Sequence, residues 1–219
     1  MENKPKFFST NPISWFLFNN LRDLYFSEIQ KTILNINKQA RRHGINCFST
    51  QGLNAFHTAV ATWEAILNEQ FISDLTYNIY KENLLFEIIK EAEMWDIRTK
   101  TTRFPKFLFG KTFDKSIVLY QDFDSIVGIR NNITHYKFSL YKGPNDEIEH
   151  LRKRQVVYPN PPNTVSSWTL ELFSTECIRF CINTIASLVE ELSKLESEEF
   201  KNINGVNTKI FQPITENLI

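Results

Sequence analysis

Residues 53–71 read LNAFHTAVATWEAILNEQF. Within them Leu53, Phe56, Val60, Trp63, Leu67 and Phe71 recur at intervals of three and four, which keeps side chains on one face of an α-helix. Ser49 and Thr50 stand just ahead and offer oxygen acceptors to the first free N–H groups. The same rhythm lies on both sides. Upstream, Leu21, Tyr25, Ile29, Ile33 and Ile36 form a stripe between Asn11-Pro12, a capping pair, and the helix-stopping Gly44. Downstream, Cys181, Ile185, Leu188, Leu192 and Leu195 alternate intervals of four and three, a seam that needs a partner helix, with Thr164 or Ser166 as its cap. Leu85, Ile88, Ala92 and Trp95 suggest another helix beginning between residues 73 and 81, and Ile117, Tyr120, Phe123, Val127 and Ile129 one more over 114–129, weakened at Asn131-Asn132.

Composition agrees with an all-α chain. Only 6 Gly and 8 Pro in 219 residues leave few of the turns that a many-stranded sheet requires. Lys+Arg and Asp+Glu are both 25, so the formal charge is zero and a uniformly basic, histone-like or polybasic membrane-binding surface is excluded. Nucleic-acid contact would have to use a local basic patch. Cys47, Cys177 and Cys181 form neither an even disulfide framework nor paired metal clips, and read as small apolar groups in a reducing cytoplasm. The apolar stretch from Phe7 to Phe18 is broken by Ser9, Thr10, Asn11, Pro12 and Ser14 before a secretory core forms, and no run of eighteen or so apolar residues occurs. The expectation is a soluble cytoplasmic protein without membrane contact.

Two segments break the helical pattern. Residues 98–111, RTKTTRFPKFLFGK, carry five basic and no acidic residues and read as a basic, aromatic connector. Residues 139–163, with Gly143-Pro144-Asn145 and Pro159-Asn160-Pro161-Pro162, read as an inserted loop. The expected organisation is an N-terminal helical extension over 1–48, a helical domain over 49–199 with that insertion, and a polar tail over 200–219 that is surface-draped or disordered.

One stretch carries chemistry: Gly128-Ile129-Arg130-Asn131-Asn132-Ile133-Thr134-His135-Tyr136. A guanidinium offers a planar, permanently charged fork for phosphate oxygens, and an imidazole is the side chain best suited to move protons near neutral pH. Both are what RNA phosphodiester cleavage needs when the ribose 2′-hydroxyl itself attacks phosphorus, a route that requires no metal. No HExxH, paired DxD or cysteine knuckle is present, and no cofactor is expected. Residues five apart stand about 140° apart around a helix, so Arg130 and His135 converge only through a helix break, for which Asn131-Asn132 is the candidate, or through a second chain.

Arg130-Asn131 followed by His135 resembles the R-x4–6-H signature of the HEPN superfamily. The resemblance implies an all-α fold with a four-helix bundle core, here with an additional N-terminal helix and a long C-terminal helix. It further implies a homodimer whose paired motifs line a cleft, metal-independent endoribonuclease activity on single-stranded or loop RNA, and a role in toxin–antitoxin or antiviral defence. Arg130 would clamp the phosphate, His135 would act as acid or base, and Asn131 would be a positioning donor. Members silenced by a nucleotidyltransferase antitoxin often carry Tyr two positions after the His, whereas here that position is Lys137 and the Tyr is Tyr136. An antitoxin or other regulatory partner remains among the expected partners, with RNA. The alternative is a non-catalytic HEPN-like module that binds RNA or protein.

Around this motif several residues are candidates for support. His57, Glu64 and Asn68 are spaced by seven and four and share a face, on which Glu64 and Asn68 would orient the Arg-His pair or simply be solvated. Asp122 and Asp124 would position Arg130, and Tyr136 would stack on a base. Arg103 and Lys106 of the connector, Lys137, and Arg152, Lys153 and Arg154 of the insertion would track an RNA backbone, and Phe104, Phe107 and Phe109 would stack on bases or cover the core.

Overall fold

A computed structural model describes residues 13–39, 51–79, 91–92, 94–135, 145–157, 168, 172, 175–196 and 207–215. Among the described residues all regular structure is helical: α1 (Ile13–Gln39), α2 (Gln51–Ile79), α3 (Ile97–Phe109), α4 (Val118–Thr134), α5 (Asn145–Lys153) and α6 (Thr175–Leu195). None of these helices is long and apolar enough to cross a membrane.

The helix α2 is the hub. It packs against α1, α3, α4 and α6, while α5 packs on α4. Its stripe does what the spacing predicts, since Phe56, Val60, Trp63, Leu67 and Phe71 are all buried. Trp63 lies at the centre, with its ring edge-on to Phe113 at 6.0 Å and Phe123 at 6.4 Å, and its indole N–H donating to Thr101 Oγ1 at 2.8 Å. From α6 come Cys177, Ile178, Cys181, Ile182, Ile185, Leu188, Val189 and Leu192, and burial pushes the Cys181 thiol well up. The α1 helix is no detached extension, because Phe18, Leu21 and Tyr25 enter the same core.

The segment read as a basic connector is a helix instead. Asp96 caps α3 by accepting from the N–H groups of Arg98 and Thr99 at 3.0 and 3.1 Å. Gly110 ends it in the left-handed region at φ 69°, its N–H donating to the Lys106 carbonyl. Between these ends Ile97, Lys100, Thr101, Phe104 and Pro105 are buried on one face, and Phe104 stacks on Phe71 with ring centroids 3.7 Å apart. Lys100 can be buried because its ammonium reaches Glu64 Oε1 at 2.6 Å. Pro105 sits well inside the helix, where sequence rules place a stop, and the caps and packed face outweigh the N–H it lacks.

The expected loop 139–163 likewise contains a helix, α5. Nine residues are too few to hold a helix in isolation, so packing must supply the stability. Asp146 and Glu147 sit in the first turn and His150, Arg152 and Lys153 in the last, matching the helix dipole, while Ile148 and Leu151 bury against α4. Gly128 on α4 makes room for this contact, since a Cβ there would meet Glu147 Oε1 at 2.2 Å. The end of α5 is a paired turn in which Gln155 N–H donates to Arg152 O and Val156 N–H to Leu151 O, which places Gln155 at φ 57°. Gln155→Gly should therefore stabilise the fold by about 0.5–1 kcal/mol, the left-handed cost less glycine's entropy. A urea midpoint that fails to rise would contradict that reading of the turn.

Part of the expected tail is held. Asn183 on α6 accepts from Ile214 N–H at 2.8 Å and donates to Ile214 O at 3.2 Å, and Phe211 packs edge-on to Phe18. Of the helix expected through Leu85 and Ile88, residues 80–90 lie outside the described residues. Its end is seen as helical Glu91-Ala92, with Ala92 buried.

Candidate functional site

The last two turns of α4 emerge from the core. Ile129 is fully buried, Arg130, Asn131, Asn132 and Ile133 are half-buried, and Thr134 and His135 are exposed. The expected break at Asn131-Asn132 does not occur. Asn132 turns its side-chain amide back onto the Gly128 carbonyl at 2.9 Å, the Thr134 hydroxyl donates to the Arg130 carbonyl at 2.9 Å, and the helix runs to Thr134 with His135 as its C-terminal cap. His135 N–H still donates to Asn131 O at 2.9 Å. Arg130 and His135 thus keep a helical separation of about 140° and face different directions in one chain.

On α2, His57 is half-buried. Burial lowers the His57 pKa, and the charge of Arg130 lowers it further. His57 also lines an open groove of about 520 Å³ between α1 and α2, with Asn20, Asp23, Leu24 and Ser27 on one wall and Asn54 and Thr58 on the other. The Nε of Arg130 is sealed from solvent and has no hydrogen-bond partner among the described residues.

Four other guanidiniums are neutralised. Arg98 pairs with Asp124, Arg179 with Glu176, and Arg152 with Glu149 at 3.3 Å. Arg154 clasps Asp122 through Nε at 3.1 Å and Nη2 at 3.0 Å, and His150 Nε2 meets the same carboxylate at 2.7 Å. Asp122 and Asp124 are therefore occupied by α5 and α3 and do not position Arg130, which lies about 12 and 9 Å further along the helix axis respectively. No described carboxylate pairs with Arg130.

The auxiliary residues expected on α2 separate from the Arg-His motif. Glu64 serves Lys100 rather than Arg130 or His135. Asn68, half-buried, lies eleven residues beyond His57, about 16 Å of helix rise. Of the residues expected to track RNA, Arg103 sits over the Trp95 ring at 4.9 Å, Lys106 and Lys153 are exposed, Arg152 and Arg154 are ion-paired, and Lys137 lies outside the described residues, as does Tyr136. Phe104 is core, whereas Phe107 is exposed beside Trp95.

A second polar hollow, about 270 Å³, lies between α4, α5 and α6 and is lined by Asp122, Arg154, Glu176, Arg179, Asn183 and Thr184 among others. Each of its arginines already faces a carboxylate, so it presents no surplus charge to an anion. Among the described residues no three His, Cys, Asp or Glu side chains gather closely enough to hold a metal ion. No protein-family model matches the chain, and neither does any curated protein or solved structure.

Sequence reasoning singled out His57 only as a neighbour of Glu64 and Asn68. The influence of the Arg130 charge on it acts between residues 73 positions apart and depends on how α2 packs on α4, which no local spacing encodes. The Asp122–His150–Arg154 cluster was missed for the same reason.

Proposed function

We propose that the protein is a metal-independent endoribonuclease of HEPN type, acting on single-stranded or loop RNA from the exposed end of α4. The observation that carries this reading is Arg130: a partly desolvated guanidinium with no carboxylate beside it among the described residues, and with one N–H unsatisfied. A buried-side cation in that condition gains most from an anion, and a phosphodiester supplies two oxygens matched to its fork. His135, at the end of the same helix and open to solvent, provides the proton-transfer group, and Asn131 the nearby amide donor.

In this reading the 2′-hydroxyl attacks the adjacent phosphorus, Arg130 stabilises charge on the equatorial oxygens, and the products are a 2′,3′-cyclic phosphate and a 5′-hydroxyl. Because α4 is unbroken between Arg130 and Thr134, the imidazole that meets Arg130 would come from the second copy of a homodimer. The HEPN-like bundle arrangement, a cytoplasmic setting, a role in toxin–antitoxin or antiviral defence, and an antitoxin or regulatory partner belong to the same proposal and rest on the motif's resemblance.

The test is cleavage of unstructured RNA by the purified chain in excess chelator, with analysis of the product ends. Cyclic phosphate ends, and loss of cutting when the scissile ribose lacks its 2′-hydroxyl, are expected. RNA that is bound but left intact from mild acid to mild base would replace this reading with the non-catalytic binding module.

A further inference from the structure

The outward face of α3 differs from the rest of a chain whose charges balance. Of the five basic residues over 98–111, Arg98 and Lys100 are taken by Asp124 and Glu64. Arg103, Lys106 and Lys111 are exposed, and no carboxylate pairs with them among the described residues. The stretch holds no acidic residue, so these three positive charges stay uncompensated on one short segment. The helix dipole accounts for a cation in the last turn of α3, where Lys106 stands. It does not account for Phe107, next in the chain and 61% exposed.

Phe107 is also held in place. Its ring stacks on Trp95 with centroids 6.0 Å apart and planes 25° apart. Half-buried Trp95 in turn leans on the core ring of Phe104 at 5.9 Å and carries the Arg103 guanidinium 4.9 Å from its centroid. Lys106 and Phe107 follow Arg103 by three and four residues, so the three share one helix face. Met94, 87% exposed, adjoins Trp95 in the chain. The result is an ordered aromatic surface bordered by cations. A ring already fixed in position loses little further freedom when another ring lands on it.

We propose that this face of α3 is a docking surface for an unpaired nucleic-acid strand, in which a base stacks on Phe107 and the flanking phosphates meet Arg103, Lys106 and Lys111. Every base has a π-face, and that face reaches Phe107 only when the base is free of a duplex, so the surface selects single strands without reading their sequence. That the strand is RNA rests on the nuclease reading above. The apolar stripe of α3, with Ile97, Phe104 and Pro105, turns to the core, so the outward face lacks the continuous apolar band that inserts into a bilayer. Instead cations and a ring alternate along it, as phosphates and bases alternate along a strand. The surface supplies affinity without using any group of the Arg130–His135 motif, and gives a chain of zero formal charge a local hold on a polyanion.

The experiment titrates the full-length wild type, Phe107→Ala, Phe107→Tyr and the double variant Lys106→Gln, Lys111→Gln with one fluorescent single-stranded RNA whose 2′-hydroxyls are methylated, so that binding is read without cleavage. Phe107→Ala should weaken binding by about 5–100-fold, the loss of one stacked base, with Tm nearly unchanged, while Phe107→Tyr keeps wild-type affinity. The double variant should flatten the slope of log affinity against log salt by about 1.4, the equivalent of two phosphate contacts. A duplex of the same sequence should bind more weakly, with no further loss in Phe107→Ala. Wild-type affinity and salt slope in Phe107→Ala and the double variant overturn the surface. So does binding to phosphatidylserine vesicles that depends on Lys106 and Lys111 while RNA binding does not. Cleavage is followed separately on unmethylated RNA. A wild type that cuts nothing yet keeps Phe107-dependent binding overturns the nuclease reading and leaves the surface standing, whereas cleavage with binding indifferent to Phe107 does the reverse.

Discussion

His135→Ala should reduce RNA cleavage by about 10²–10⁴-fold while leaving RNA affinity and thermal stability nearly unchanged. The side chain is exposed at the C-terminal cap of α4, and its structural contribution is a backbone N–H to the Asn131 carbonyl, which alanine keeps. Arg130→Ala should cost a similar factor in turnover and also weaken binding, because the guanidinium meets phosphate in the ground state as well. Mixing the two variants is the sharper experiment. If the site combines Arg130 of one copy with His135 of the other, a heterodimer of the two inactive chains contains one intact pair, and activity returns on mixing. Failure to regain activity despite subunit exchange would place the two groups in one chain, against the unbroken course of α4 through Thr134.

Trp63→Ala should be the most damaging single change to stability, about 3–5 kcal/mol. Three losses coincide there. The indole is fully buried, it packs edge-on against Phe113 and Phe123, and its N–H is the donor to Thr101, whose own hydroxyl donates to the Ile97 carbonyl of α3. Alanine leaves a cavity between α2, α3 and α4 and one acceptor without its donor. For a chain of this length each 1 kcal/mol moves Tm by about 2–4 °C, so melting should fall by about 6–20 °C. Denaturant titration checks the value, and a loss under about 1 kcal/mol would show that the core closes over the gap.

Reading the chain by spacing worked where burial follows a simple period. The stripes of α1, α2 and α6 identified those helices and their core faces, because each helix presents one face to the same interior. It failed at α3 for a specific reason. The residues of RTKTTRFPKFLFGK suggest a solvated connector by charge and a break by Pro105, yet Lys100 is buried against Glu64 and Arg98 is bound by Asp124. A charge is expensive to bury unless its partner is supplied, and those partners lie 36 and 26 positions away. The same holds for α5, whose His150 and Arg154 meet Asp122 only because the helix packs on α4.

The candidate site divides in the same way. Arg130, Asn131 and His135 were visible as an unusual sequence of donors, and the angle between Arg130 and His135 follows from helix geometry alone. Local spacing also determined the helical class and the buried faces of α2 and α6, since these depend on interactions within a few turns. The lowering of the His57 pKa by burial and by the charge of Arg130, the withdrawal of Glu64 to Lys100 and the capture of Arg154 by Asp122 were decided only when the helices packed. Desolvation and Coulomb attraction act through space between groups distant in the chain, and the crossing of helices sets those distances.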